Sequence, residues 1–133
     1  MVISDHKSLP VAVHLASASP HEVTLVETTL KERFVGKIPE KLVGDRAYDN
    51  DPLDAKLAKL DIELIAPHRG NRVKLKTQDG RPLRRYQRRW KIERLNAWLQ
   101  NYLRIVTRYE YKPENFLGFV HLACMRILLK NYF

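Results

Sequence analysis

The chain has one cysteine, Cys124, among its 133 residues. A lone thiol cannot close an internal disulfide and has no second thiol for a zinc knuckle. The five histidines, His6, His14, His21, His68 and His121, show no close metal-type pairing and read as structural or solvated. Long apolar runs are missing too: the longest are broken by polar residues well short of the roughly 18 to 20 needed to cross a bilayer. The first residues also lack the basic, apolar and small-residue order of a signal peptide. These absences lead to the expectation of a cytoplasmic protein with no membrane partner.

Acids are scarce in one place. Residues 67–108 hold thirteen Lys and Arg against two acids, Asp79 and Glu93, which concentrates more than the whole net charge of +9 in that segment. Such a field attracts polyanions, and the excess of Arg over Lys suits bidentate phosphate contacts. Nucleic acid is the leading partner, an anionic membrane surface the weaker alternative, and a plain solvated basic face the bland one.

With 44% hydrophobic residues spread along its length, the chain is globular and long enough for one domain with a core. The alternation in LPVAVHLAS (9–17) predicts a strand, with VIS before it as the end of a hairpin partner. In SPHEVTLVETTLKERFVG, Ser19 can cap, Pro20 suits the first helical position and Glu22 completes a capping box. Val23, Val26, Leu30 and Phe34 then share a helical face, and Gly36 supplies a stop. A short strand, KLVG (41–44), precedes a helix that Asp51 can cap and Pro52 can open, with Leu53, Leu57 and Leu60 as its stripe. IELIAP (62–67) is a second strand, and strand, helix, strand at this spacing is a βαβ unit.

Residues 68–80 form a loop with a short strand at VKL. A long helix over 81–104 follows, its core face made by Ile92, Leu95, Leu99, Tyr102 and Leu103. Pro113 opens the last helix, in which Phe116, Val120, Ala123 and Ile127 repeat on one side and Leu117, Leu128 and Leu129 widen the stripe, so that it is buried on most sides. Cys124 belongs to that core. The two tryptophans, Trp90 and Trp98, read as packing residues, with stacking on a base as the alternative.

Two acids stand out. Asp45 lies just past the carboxyl end of a short buried strand, where open α/β sheets place their ligands. Glu93 falls on one helical face with Tyr86, Arg89, Ala97 and Gln100, opposite the apolar stripe. An Arg89 to Glu93 ion pair is the simple explanation, worth a few tenths of a kcal/mol if exposed.

The segments GDRAYD (44–49), IELIAPHRGNR (62–72), RRYQRRWKIERLNAWL (84–99) and RYE (108–110) together make the chain resemble the DDE transposases of bacterial insertion sequences. The resemblance covers essentially the whole chain and is most specific over 84–99. It implies an α/β chain with an RNase H-like fold, its first strand missing, followed by C-terminal helices. It also implies Asp45 as the second catalytic acid and metal ligand and Glu93 as the third. The family's helix signature is met by Tyr86, Arg89 and Glu93, whereas Gln100 stands where a basic residue is usual. Two Mg²⁺ or Mn²⁺ ions would serve a complete enzyme, in hydrolysis at the element's ends and then attack of the freed 3′-hydroxyl on target DNA. Arg69, Arg72, Arg85, Tyr86, Arg88, Arg89 and Lys91 are then the expected DNA-binding residues, the partners being terminal-repeat and target DNA, with a homodimer admitted.

The family's first acid lies on a strand upstream of the hairpin. Asp5, the sole acid before Glu22, falls in the hairpin turn instead. The expectation is therefore of one C-terminal portion of a DDE transposase catalytic domain over 1–133, a partial or inactive copy, with Asp5 as the candidate substitute ligand. A basic DNA-binding module without catalysis and a non-functional remnant are the alternatives.

Overall fold

In the computed structural model, which describes residues 1–73 and 82–132, the chain divides into two compact units, Met1–Val35 with Lys91–Phe133, and Gly36–Trp90. Both mix strands and helices, so the α/β expectation holds at that level.

The first unit begins with the hairpin. Strand β1 (Val2–Ser4) pairs antiparallel with β2 (Pro10–Val13), with Ile3 opposite Ala12 and an irregularity after Ile3. Asp5 makes the turn: its Oδ1 accepts the N–H groups of Lys7 and Leu9 at 2.7 and 2.8 Å, and Ser8 takes a positive φ of 69°. This is an Asx-type turn, in which a short polar side chain substitutes for backbone pairing. The strand is shorter than 9–17 because its partner offers only three residues, and the ladder ends with His14 donating to the Met1 carbonyl at 3.0 Å.

Helix α1 (Glu22–Lys31) is capped by His21, whose ring nitrogen accepts weakly from Val23 N–H at 3.4 Å, so Ser19 is not the cap. The helix also stops before Gly36. Phe34 N–H donates to Val11 at 2.8 Å and Arg33 bridges Ala12, which draws the backbone out of the helix and onto β2. Val26 and Leu30 are buried as expected, whereas Phe34 meets His121 edge-on at 5.6 Å with part of its surface in solvent.

The helix expected over 81–104 is three pieces: a 3₁₀ stretch (Pro82–Arg88), α3 (Trp90–Leu99) and α4 (Leu103–Val106). Asn101 and Tyr102 bond back to Trp98 and Leu99, the tight i to i−3 pattern that ends helices, and Tyr102 is extended at ψ 110°. This break turns Leu103 outward, to 70% exposure, and removes it from the predicted core face. Leu95 and Leu99 are buried, and Ile92, Trp98 and Tyr102 pack against them.

Helix α5 (Pro113–Tyr132) buries Val120, Ala123, Cys124 and Ile127 against Leu9, Val13, Leu95 and Leu99. Burial pushes the Cys124 thiol up to about 11, consistent with a core thiol. Only one face is covered, however. Leu129, Leu122 and Met125 are exposed, so the prediction of a helix buried on most sides is corrected: α5 packs on β2 and α4 along one stripe.

The second unit is the expected βαβ unit. Strand β3 (Lys41–Val43) runs parallel to β4 (Glu63–Ile65), joined by α2 (Asp51–Ala58). Asn50 rather than Asp51 is the cap, its Oδ1 accepting from Leu53 N–H at 2.9 Å, with Pro52 in the first turn. Leu53 and Leu57 are buried, as are Ile62, Leu64, Ile65 and Ala66. Leu60 lies past the helix end and is 46% exposed: Asp61, at φ 57°, reverses the chain so that Ile62 N–H reaches the Leu57 carbonyl at 3.0 Å. Burial favours β4, on which α2 packs. β3 has exposed ends, so Asp45 follows a half-covered strand and not a buried one. Of the strand expected at 73–75, Val73 is exposed and in no strand, and the rest, with Lys76 and Arg81, falls outside the described residues.

Candidate functional site

Asp45 stands two residues past β3, at the carboxyl end of a parallel pair. Gly44 continues the ladder, its N–H donating to Ile65 at 3.0 Å, before the chain enters a 3₁₀ turn (Arg46–Tyr48). Asp45 caps that turn: Oδ1 accepts from Ala47 N–H at 2.8 Å, and its carbonyl accepts from Tyr48 N–H at 3.1 Å. A carboxylate has about four lone-pair directions, so one cap leaves coordinating capacity. Gly44 is required by close approach. A Cβ there would lie 2.9 Å from Cγ and Cδ2 of Tyr48 and 3.0 Å from its Cβ, which explains the glycine and tyrosine of GDRAYD as a packed pair.

Asp49, which follows the turn, is the hub of a polar cluster that sequence reasoning missed. Its side chain is 5% exposed. Oδ1 meets His68 Nδ1 at 2.9 Å and Arg72 Nη1 at 2.7 Å, and Oδ2 accepts from Arg69 N–H at 2.8 Å. Arg72, whose side chain is 10% exposed, spans to Asp51 Oδ1 with its other Nη at 2.8 Å. Burial alone would raise the Asp49 carboxyl, but the Arg69 N–H, the His68 hydrogen bond and the Arg72 charge outweigh it and hold the group below the usual range. Hydrogen bonding to Asp51 first, and the charges of Asp49 and Asp51, strengthen the Arg72 cation against its desolvation. A signal existed, in the D-x-D of 49–51 and the H-R-x-x-R of 68–72. Read singly, Arg69 and Arg72 pointed to phosphate, His68 to a structural or solvated place and Asp51 to a helix cap.

Arg69 is exposed, but its guanidinium is engaged: Nε donates to the Arg46 carbonyl at 3.2 Å and Nη2 to that of Ala47 at 2.9 Å. Thus both Arg69 and Arg72 hold the segment that carries Asp45.

Glu93 lies in the first turn of α3 and is exposed, on the side away from Leu95 and Leu99, as its spacing predicts. A carboxylate there is favoured by the helix dipole. Asp45 belongs to the 36–90 unit and Glu93 to the other. Arg85 and Arg88 are exposed on the 3₁₀ stretch, and Arg89 lies over the Tyr86 ring at 5.9 Å from its centroid. Because 82–88 is 3₁₀ and α3 starts at Trp90, the shared α-helical face predicted for Tyr86, Arg89 and Glu93 is interrupted. Lys91 donates to the His6 carbonyl. Trp98 packs on the core with Arg94 above its ring, whereas Trp90 is 45% exposed. Among the described residues, no three His, Cys, Asp or Glu side chains group as a metal ion requires.

The family model described as "Transposase DDE domain" matches residues 1–129. The chain is 27% identical over 134 residues to a Burkholderia cepacia protein assigned as the transposase of insertion sequence element IS402, covering 95% of this chain and 60% of that protein. It is 37% identical over 91 residues to a Brucella ovis protein assigned likewise for element IS6501, covering 67% of each. The chain thus spans about 60% and 67% of the length of these two relatives. No solved structure matches it.

Proposed function

This chain belongs to the transposase DDE domain family, and we propose that it serves DNA cleavage and strand transfer at an RNase H-like site to which it contributes Asp45 and Glu93. The observation that carries this reading is the position of Asp45 at the carboxyl end of β3, next to the parallel partner β4, where α/β sheets present ligand-binding groups. The family generally uses divalent metal ions, and carboxylate oxygens are the donors that Mg²⁺ and Mn²⁺ prefer. Asp45 and Glu93 would be the holders. The chemistry that such ions supply when bound is activation of the attacking oxygen and stabilisation of the leaving one.

The other residues bind and orient. Arg85 and Arg88, exposed on the 3₁₀ stretch, and Arg89 beside Tyr86 supply charge for phosphates. Lys91 extends the same basic run, and Arg69 and Arg72 stabilise the loop under Asp45. Asp5 uses Oδ1 for two backbone N–H groups of its turn, which leaves Oδ2 for the role of substitute first acid.

A second reading, a basic DNA-binding module without catalysis, draws on the lack of a three-acid group among the described residues. One experiment separates the two. Terminal-repeat DNA and Mn²⁺ are incubated with the chain, with Asp45→Ala and with Glu93→Ala, and binding is followed in parallel over a salt series. The catalytic reading expects cleavage that both substitutions abolish while binding persists. Equal cleavage by all three removes Asp45 and Glu93 from the site, and binding that weakens steeply with salt then leaves the module.

A further inference from the structure

The 3₁₀ turn that follows Asp45 buries none of its three residues. Tyr48 packs against Gly44, but no residue of the turn is fully buried, so the conformation of Asp45 also relies on polar contacts. Those contacts come from the segment that leaves β4. Arg69 reaches the carbonyls of Arg46 and Ala47, the two residues directly after Asp45, at 3.2 and 2.9 Å. Its own N–H donates to Asp49 at 2.8 Å, so the loop is gripped at both ends of the turn by one residue. Asp49 is anchored in turn by His68 and Arg72.

Ala47 is the joint. Its N–H is taken by the Asp45 carboxylate at 2.8 Å, and its carbonyl by the Arg69 guanidinium. The peptide plane before Ala47 sets the direction of the Asp45 carboxylate, and the plane after it is held by Arg69. Two donors of a planar fork aimed at two neighbouring carbonyls are an arrangement that guanidinium provides and a single ammonium does not.

We propose that Arg69 is a positioning residue whose fork, anchored through Asp49, sets the orientation of the Asp45 carboxylate toward a divalent cation. This rests on the reading of Asp45 as a ligand. It also changes the role of Arg69, from a phosphate contact to a clamp on the chain's own backbone.

The test compares wild type, Arg69→Ala, Arg69→Lys and Asp45→Ala as full chains. Amide hydrogen exchange is measured at Tyr48 and Asp49, with α1 and α5 amides as internal controls. Mn²⁺ alone is titrated, and paramagnetic broadening of resonances from residues 44–48 is followed. Losing two hydrogen bonds lowers protection at Tyr48 and Asp49 by on the order of tenfold. Arg69→Ala and Arg69→Lys should both show this loss and a comparable rise in the Mn²⁺ concentration needed for broadening, with α1 and α5 unchanged. Unchanged protection in Arg69→Ala overturns the clamp. Wild-type Mn²⁺ response in Arg69→Lys also overturns it, since charge and not the fork would then be responsible. Asp45→Ala tests the underlying reading separately: broadening as strong as in wild type removes Asp45 as a ligand, and the clamp's effect on orientation toward a cation falls with it, even where the exchange data still register the grip on the loop.

Discussion

Replacing Asp49 by alanine should destabilise the 36–90 unit by about 3 kcal/mol at pH 7. Breaking a buried ion pair by removing one partner costs about 3 to 5 kcal/mol, because the other charge stays behind without compensation. The low end applies here, since Arg72 keeps Asp51 at 2.8 Å and Asp51 is one-third exposed. Alanine also deprives the Arg69 N–H and the His68 ring of their acceptor. Asp49→Asn keeps an acceptor of similar shape but loses the charge, so its cost should be roughly half, at about 1.5 kcal/mol. The pH dependence has a definite sign. The carboxyl is held below its ordinary value of 3.8, against burial, by hydrogen bonds and the Arg72 charge. Its contribution is therefore complete above pH 3.8 and is lost as pH falls through the lower folded value. Urea unfolding of wild type and both variants, repeated from pH 7 down to about 3, measures this. A cost for Asp49→Ala below about 0.5 kcal/mol at pH 7 would refute the view of Asp49 as a hub. So would a wild-type advantage over Asp49→Asn that grows on acidification.

Two further substitutions test the neighbouring geometry. Gly44→Ala places a methyl 2.9 Å from the root of the Tyr48 ring, which cannot swing away cheaply, and should cost about 1 to 3 kcal/mol in thermal or urea unfolding. In a Tyr48→Gly background the same change should become nearly neutral, and equal costs in both backgrounds would remove the contact as the cause. Asp54 is affected oppositely to Asp49: burial first, then the charges of Asp51 and Asp49, raise its carboxyl above 3.8. A raised folded value means stability declines as pH climbs through that window, so Asp54→Asn should stabilise the chain at pH 7 and lose its advantage near pH 3. A destabilised Asp54→Asn at pH 7 would show that the helix dipole at the start of α2 outweighs those charges.

The sequence disclosed elements where short-range rules decide, and misled where a partner strand intervened. The βαβ unit was legible because Pro52, the Leu53 and Leu57 stripe and the apolar run ending at Pro67 are all local signals. Helix α1 was placed correctly in its middle, but both ends moved. His21 won the cap from Ser19, and pairing of Phe34 N–H with Val11 ended the helix before Gly36 could. Likewise, apolar residues from Ile92 to Leu103 suggested one long helix. Nothing in their spacing marks the extended conformation of Tyr102 that splits it. Residues such as Leu60, Leu103 and Leu129 looked like core because periodicity continues past the point where the backbone leaves the helix, or where its neighbours end.

The candidate site divides along the same line. Asp45 and Glu93 were singled out because an acid in an uncommon setting is visible in sequence, and each occupies the local position expected: after a strand, and on the solvent side of a helix. The residues that support Asp45 were not visible, because their meaning depends on contacts about twenty residues apart. Arg69 and Arg72 contribute to the same basic count as Arg85 and Arg88, and composition cannot separate a guanidinium held by carbonyls and carboxylates from one turned to solvent. Since the clamp uses cations from within the basic segment, part of its charge is neutralised by Asp49 and Asp51. The positive charge left to attract a polyanion is therefore smaller than the sequence total.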